Sequence, residues 1–178
     1  DGSRYELPPL QYFEHVVETE QVGDELFARP AMTMLERRKA QRDSIEARCR
    51  ALAEVVNAEP DEPWLIWTHL NDEADLIESI LADCINVQGS DSPESKTKNM
   101  MAFTHGELRI LCSKPKICGY GMNWQHCARM AFVGLDDSFE KFYQAVRRCY
   151  RFGQKRSVQV HLFTAENEGQ ILDNLKRK

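Results

Sequence analysis

The chain has 178 residues, of which 42% are hydrophobic and 29% are charged, and its formal net charge is −5. This composition is typical of one well-cored globular domain and excludes collagen-like and intrinsically disordered chains. The longest apolar runs are four residues, whereas a membrane-spanning helix needs about 20, so we expect no membrane segment.

The positions of the charged residues and of the cysteines narrow the class of protein further. Residues 141–178 carry nine basic and three acidic groups although the whole chain is acidic, which favours one localised surface for an anion such as phosphate. The six cysteines form no C-x-x-C pair and indicate reduced thiols in the cytoplasm or, in a eukaryote, the nucleus. Because the chain begins at Asp1 without an apolar signal core, we expect it to be a piece of a longer protein.

The first third of the chain predicts one long helix. Residues 1–30 favour at most a strand or a docking arm. Residues 31–58 contain no Gly or Pro, and Ile45, Cys49, Leu52 and Val56 have the spacing of one helix face. The segment Pro60–Pro63 is a predicted linker, which divides the chain into an N-terminal extension, 1–60, and a main domain, 61–178.

From residue 64 onward, short apolar runs alternate with helical patterns, which is the rhythm of successive β-α units. The predicted strands are 64–68, 85–88, 108–112, 130–135 and 158–163. The predicted helices start at the capping residues Asn71, Ser92 and Ser138, reach about residues 83 and 152 for the first and third, and are followed by a last helix at the end of the chain. We therefore predict an α/β fold with a mainly parallel sheet, whose ligands bind at the carboxyl ends of the strands.

The predicted helix from Phe139 to Arg151 divides into two faces at 100° per residue. One face is apolar and consists of Phe139, Phe142, Val146 and Cys149. The opposite face carries Gln144, Arg148 and Arg151. Between Lys141 and Arg156 there are six basic residues and no acid, which predicts an anionic partner, and the planar fork of arginine suits phosphate.

The run Q-A-V-R-R-C-Y-R-F-G-Q at residues 144–154 closely resembles helicase motif VI of the Swi/Snf-type branch of superfamily 2. Gly119–Asn123 looks like motif V and Pro63–Thr68 like the strand of motif IV, in the same order and spacing. The resemblance covers roughly residues 60–178, and segments 113–115 and 123–127 are most similar to phage- or prophage-encoded members. Cys118 stands where the family usually has the first glycine of motif V.

This resemblance implies the second lobe of a DNA-dependent ATPase, with the RecA-like three-layer α/β/α fold. By the match, Arg151 is the arginine finger, Arg148 reaches the γ-phosphate and Gln144 helps to order the helix and the nucleotide. Gly119 and Gly121 would let the backbone approach the ATP cleft. The candidates for contact with nucleic acid are Asn123, Ser113 as a donor to a backbone phosphate, and Trp124 as a platform for base stacking.

The chain contains no G-x-x-x-x-G-K-[ST] phosphate loop. The isolated chain is therefore expected not to hydrolyse ATP. The resemblance implies that ATP and Mg²⁺ are held mainly by an N-terminal RecA-like lobe of the same protein, and that the polymer is double-stranded DNA, along which the motor translocates.

One alternative belongs to another class: a non-catalytic RecA-like module that binds nucleic acid or protein. The two arginines of motif VI count against it, because binding alone needs no arginine finger. A cysteine phosphatase is excluded, because the H-C-x5-R signature begun by His126 and Cys127 has Val133 at the arginine position. A zinc site is disfavoured by the spacing of its candidate ligands, Cys112, Cys118, His126 and Cys127.

Overall fold

The structure, a computed structural model, describes residues 6–19, 33–118, 122–135 and 138–166 together with residues 173 and 177. The strands are β1 Leu10–Val17, β2 Trp64–Trp67, β3 Cys84–Val87, β4 Ile110–Ser113, β5 Arg129–Phe132 and β6 Val158–Ala165. The described helices are α1 Met34–Asp43, α2 Ile45–Asn57, α3 Asn71–Ile80, α4 Pro93–Thr104 and α5 Phe139–Val146. All strands run parallel in one sheet, in the spatial order β1-β6-β5-β2-β4-β3.

Helices cover both faces of the sheet, so alternate residues of each strand enter two separate cores. Apolar residues of α2 and α3 pack with Trp64 and Ile66 on one face, and those of α4 and α5 pack with Leu65 and Trp67 on the other. The whole of β2 is therefore buried, which is why a central parallel strand has a continuous apolar sequence rather than an alternating one. The three-layer α/β/α architecture predicted from the sequence is confirmed.

Residues 1–30 were predicted to form at most a strand or a docking arm. They contribute the strand β1, which forms an edge of the sheet. It pairs with β6 along its full length, from Leu10 opposite Val158 to Val17 opposite Ala165. Both β1 and α2 thus share the sheet and the core with elements that follow residue 60. The division into 1–60 and 61–178 stays a prediction about the organisation of the chain.

The predicted long helix is two helices, and the break lies at Ser44. This residue has φ −102° and ψ 1°, and its buried hydroxyl accepts a hydrogen bond from Nε of Arg48 at 2.8 Å. Serine has a lower helix propensity than Ala, Leu or Lys, so a break in the helix is less costly at this position. The predicted face Cys49, Leu52 and Val56 is buried as expected.

The predicted cap of α3 is wrong. Asn71 is the first helical residue. The amides of His69 and Leu70 instead donate hydrogen bonds to the side chain of Glu73, at 2.9 Å each. Ser92 does cap α4, because its hydroxyl accepts from the amide of Ser95. The last predicted helix lies outside the described residues. None of the described helices is long and apolar enough to cross a membrane.

Candidate functional site

The helix α5 is held by its apolar face and begins at the carboxyl end of the sheet. Ala145 and Val146 are buried, and Phe139 and Phe142 pack against the same core, as the predicted faces require. The hydroxyl of Ser138 caps the first turn by accepting from the amide of Lys141. The helix ends at Val146, however, well before the predicted end at residue 152.

Residues 147–154 form a compact turn, which we call the arginine turn because it carries Arg148 and Arg151. Backbone hydrogen bonds close it locally, from Tyr150 to Val146 at 3.0 Å and from Gln154 to Arg151 at 3.0 Å. The two arginines therefore do not continue a helix face with Gln144, as predicted, but are placed by this turn.

Gln154 anchors the arginine turn to the rest of the lobe. It is 7% exposed, and its Nε2 donates to the carbonyls of Cys127 and Cys149 at 3.1 Å each. Its Oε1 accepts from the amides of Lys155 and Arg156 at 3.0 Å. Because both ends of the amide are used, Gln154 fixes where the turn sits relative to the loop before β5.

The side chains of the arginine turn differ in their partners. Arg147 is exposed and lies over the ring of Tyr143, 5.4 Å from its centroid. The half-buried guanidinium of Arg151 makes no hydrogen bond or ion pair with the described residues. Arg148 is half-buried. Burial raises the pKa of the Cys118 thiol, while a hydrogen bond with Ser113 and the charges of Lys96 and Arg148 lower it in part.

A second candidate site lies at the carboxyl ends of β2, β3, β4 and β5. Two cavities there, of about 120 Å³ and about 410 Å³, share Thr68, Lys114 and Lys116 in their walls. We call them together the lysine-lined cleft. Nζ of Lys114 donates to Oδ1 of Asn71 at 2.6 Å, while Lys116 is exposed and has no hydrogen bond or ion pair among the described residues.

Two residues that line the larger cavity of this cleft have buried polar atoms. Oγ1 of Thr68 and Nδ2 of Asn86 are both buried and have no hydrogen-bond partner in the described part of the chain, and both residues line the cavity. A buried polar atom without a partner calls for water or a ligand. Together with the lysines, these donors suit an anionic, hydrogen-bonding ligand.

Three arginines at the amino-terminal ends of the strands form ion pairs with acidic residues of the same chain. The pairs there are Arg109 with Asp83, Arg129 with Glu59, and Arg156 with Glu62. Arg109 hydrogen-bonds Asp83 and thereby lowers the pKa of that carboxyl. One of the six basic residues predicted to need an anionic partner, Arg156, thus has one within the chain.

The model of the helicase conserved C-terminal domain matches residues 47–153, which is well over half of the chain. The chain belongs to the helicase C-terminal domain family. No curated protein matches it in sequence.

Solved structures agree with this assignment at the level of fold. The C-terminal part of the Fun30 ATPase domain superimposes with a TM-score of 0.65 at 19% identity, over 74% of this chain and 46% of that one. The RNA-helicase Prp28 from Chaetomium thermophilum, bound to ADP, superimposes with a TM-score of 0.68 at 15% identity, over 95% of this chain and 36% of that one. The chain therefore spans less than half the length of either, and its RecA-like fold is confirmed.

Two predicted nucleic-acid contacts of this helicase domain are contradicted by their burial. Ser113 is 1% exposed, and its hydroxyl donates to the carbonyl of Val87 at 2.8 Å. Trp124 is fully buried, packs edge-on against Phe103 and donates through its indole nitrogen to Thr104 at 3.0 Å. Both side chains serve the core, so neither is available to a phosphate or a base.

Of the other predicted site residues, Asn123 and Gln144 are exposed. The side chain of Asn123 accepts from the amide of Gln125 at 3.3 Å, so it stays a candidate contact. Gln144 lies on α5. Gly119 and Gly121 lie outside the described residues.

The cysteines of the domain are core residues. All six are free and buried. Sγ of Cys127 donates to the carbonyls of Pro63 and Arg129, and burial together with a neighbouring Cys127 raises the pKa of Cys149 far above its usual value. Buried thiols of this kind are poor nucleophiles, which agrees with the rejection of a phosphatase.

Sequence analysis missed the side chains of the lysine-lined cleft. Lys114 and Lys116 follow directly after β4, so the rule that ligands bind at the carboxyl ends of strands was a signal that could have found them. The inward-facing Thr68 occupies the corresponding position after β2. Asn86 lies inside β3, and no local pattern distinguishes it from a strand residue that faces solvent.

Proposed function

We propose that this chain is the second motor lobe of a Swi/Snf-type, DNA-dependent ATPase and translocase. Arg151 would be the arginine finger for ATP bound at a first lobe of the same protein. One observation carries the proposal: Arg151 lies half-buried in a turn fixed by Gln154, and its guanidinium has no partner among the described residues. A charged donor held in place and left unpaired is suited to an anion supplied from outside the lobe.

The neighbours of Arg151 fit a triphosphate. The carbonyl of Arg148 accepts from the amide of Trp124, which follows the segment with the proposed ATP-facing glycines Gly119 and Gly121, and exposed Gln144 precedes the turn on α5. ATP would supply the phosphoryl group and Mg²⁺ would neutralise its oxygens. The metal would be held mainly by the first lobe. The Prp28 structure contains ADP, which supports nucleotide use in this fold.

We assign the polymer to the lysine-lined cleft. Lys114 and Lys116 would contact backbone phosphates, with the exposed Asn123 as a further contact. The helix α5 begins in the wall of this cleft at Ser138 and Lys141 and ends at the arginine turn. Its length of about 12 Å would connect polymer contact with ATP hydrolysis through one rigid element.

The proposal is tested by ATP hydrolysis of the complete protein with and without double-stranded DNA. Arg151→Ala should lower DNA-stimulated turnover by a factor of about 10³ to 10⁵, because a finger arginine stabilises transition-state charge. ATP binding should persist. Arg147→Ala is the matched control, because Arg147 lies in the same turn but contacts Tyr143, and it should hydrolyse ATP like the wild type.

Other outcomes would redirect the assignment. If RNA but not DNA stimulates turnover and Arg151→Ala abolishes it, the motor role is supported and the assignment of DNA as the polymer is wrong. If the complete protein hydrolyses no ATP with either polymer, the lobe is instead a non-catalytic binding module. The arginine turn would then be a static phosphate-binding surface.

Two further parts of the proposal concern origin and compartment. Six free, buried thiols suit a reducing compartment, which is the cytoplasm of a bacterium or the nucleus of a eukaryote. The likeness of segments 113–115 and 123–127 to phage- or prophage-encoded members supports a phage or prophage gene.

A further inference from the structure

A fully buried ion pair lies beneath the lysine-lined cleft. Arg48 of α2 and Glu73 of α3 are both 0% exposed, and Nη1 of Arg48 lies 2.8 Å from Oε1 of Glu73. Removing two charges from water is costly, and a buried pair of this kind is often replaceable by apolar residues without loss of stability. What distinguishes this pair is that its polar atoms also bind backbone groups of two neighbouring loops.

Glu73 fixes the loop between β2 and α3. Its Oε2 accepts from the amides of His69 and Leu70, at 2.9 Å each. His69 and its neighbour Thr68 line the cleft. The carboxylate thus determines the course of one wall of the cleft from below.

The pair also fixes the loop between β5 and α5, which is the neighbouring part of the wall because β5 pairs with β2. Arg48 donates to the carbonyl of Val133, the residue directly after β5. Gly134 packs directly on the carboxylate, because a Cβ added there would lie 2.6 Å from both oxygens of Glu73. Gly134 and Leu135 line the cleft, as do His69 and Thr68.

We propose that Arg48 and Glu73 are positioning residues for polymer binding. They hold the loops 68–70 and 133–135 at the separation that lets Lys114 and Lys116 contact one strand of nucleic acid. The inference rests on the proposed function, in which this cleft carries the polymer. Neither side chain is exposed, so both act through the loops and not by contact.

The test replaces both charges with apolar residues of similar volume, in Arg48→Met/Glu73→Leu, in the complete protein. The melting temperature should fall, because the amides of His69 and Leu70 and the carbonyl of Val133 lose their partners. The DNA concentration for half-maximal stimulation of ATP hydrolysis should rise several-fold, because the loops that shape the cleft lose their common anchor. The maximal rate at saturating DNA should be retained, and hydrogen exchange of peptides that contain His69 and Leu70 should accelerate.

A matched control is available on the same helix. Arg50 and Glu46 form an exposed ion pair, with side chains 66% and 71% accessible. The same substitutions there, Arg50→Met/Glu46→Leu, should change neither the DNA requirement nor the exchange of the loops.

A second variant keeps both charges, in case the double substitution fails to fold. Gly134→Ala forces the loop away from Glu73 and should raise the DNA requirement in the same way. Wild-type DNA dependence in a folded Arg48→Met/Glu73→Leu protein overturns the inference, and so does wild-type DNA dependence in Gly134→Ala. Lys114→Ala/Lys116→Ala separates the two ideas: if it loses DNA stimulation while the buried variants do not, the proposed function stands without the positioning role.

Discussion

The backbone amide of Trp124 donates to the backbone carbonyl of Arg148 at 3.0 Å. This bond joins the segment that follows Gly119–Asn123 to the arginine turn. The buried indole of Trp124 then ties both segments to the core beneath α4. A tryptophan that the sequence suggested for base stacking thus serves to place the arginines.

Gly153, two residues after Arg151, predicts that a substitution can lower ATP hydrolysis by more than its loss of stability explains. Gly153 has φ +94° and Gly106 has φ +75°, so alanine at either position should cost about 1–2 kcal/mol. A Cβ at Gly153 would meet only the tip of the exposed Gln125 side chain, which can move aside. Urea unfolding should therefore give similar losses for Gly153→Ala and Gly106→Ala, while only Gly153→Ala, in the turn of Arg151, lowers ATP hydrolysis. Equal activities would contradict the role of the turn.

The amide of Gln154 predicts a loss of stability that an ordinary surface glutamine would not show. Gln154→Leu keeps the volume but leaves the carbonyls of Cys127 and Cys149 without their donor. A buried polar group without a partner costs about 1–3 kcal/mol, so the free energy of unfolding should fall by at least that amount in urea titrations. Gln144→Leu, at an exposed position of α5, is the control and should change it little. A neutral Gln154→Leu would mean that the turn has other anchors.

The sequence predicted elements whose cause is local. Four consecutive apolar residues predicted β2, and Ser92 followed by Pro93 predicted the start of α4, because a capping serine and a first-turn proline act within a few residues. The resemblance of residues 144–154 to motif VI depended on side-chain types, and the match of residues 47–153 to the helicase C-terminal domain agrees with it at the level of the domain family.

Features that depend on distant residues could not be predicted. The break at Ser44 accompanies a bond to Arg48, whose partner Glu73 lies 25 residues further along the chain. The sequence predicts that Ser113 and Trp124 contact nucleic acid, because both lie close to motif V along the chain. Their burial is decided by Val87 and Thr104, on other elements.

The lysine-lined cleft predicts a change in the salt dependence of DNA binding. Each phosphate contact contributes about 0.9 to the slope of log K against log salt concentration. Lys114→Ala/Lys116→Ala should therefore reduce the slope by about 2, with a uniform loss across DNA sequences. Fluorescence anisotropy of the complete protein at several salt concentrations measures it. Lys98→Ala, an exposed lysine of α4, is the control, and an unchanged slope in the double variant would place the polymer elsewhere.

Two histidines join the edge strand β1 to β6. Nε2 of His15 and Nδ1 of His161 are 2.9 Å apart, so one ring donates and the other accepts, which requires at least one neutral ring. Burial lowers the pKa of His161 from 6.5 to about 4, with a further contribution from the charge of His15, while Glu59 opposes the shift. Burial also lowers the pKa of His15.

This arrangement predicts that the domain loses stability in weak acid. Below pH 6.5 the unfolded chain binds more protons than the folded chain, so stability that is complete above pH 6.5 falls as the pH drops toward about 4, by up to about 1.4 kcal/mol per pH unit. Urea unfolding at pH 7 and pH 5 should show this difference for the wild type and a smaller one for His161→Gln. His105→Gln, at an exposed position, should behave as the wild type. If His161→Gln keeps the full difference, other groups cause the acid sensitivity and the histidine pair does not couple β1 to pH.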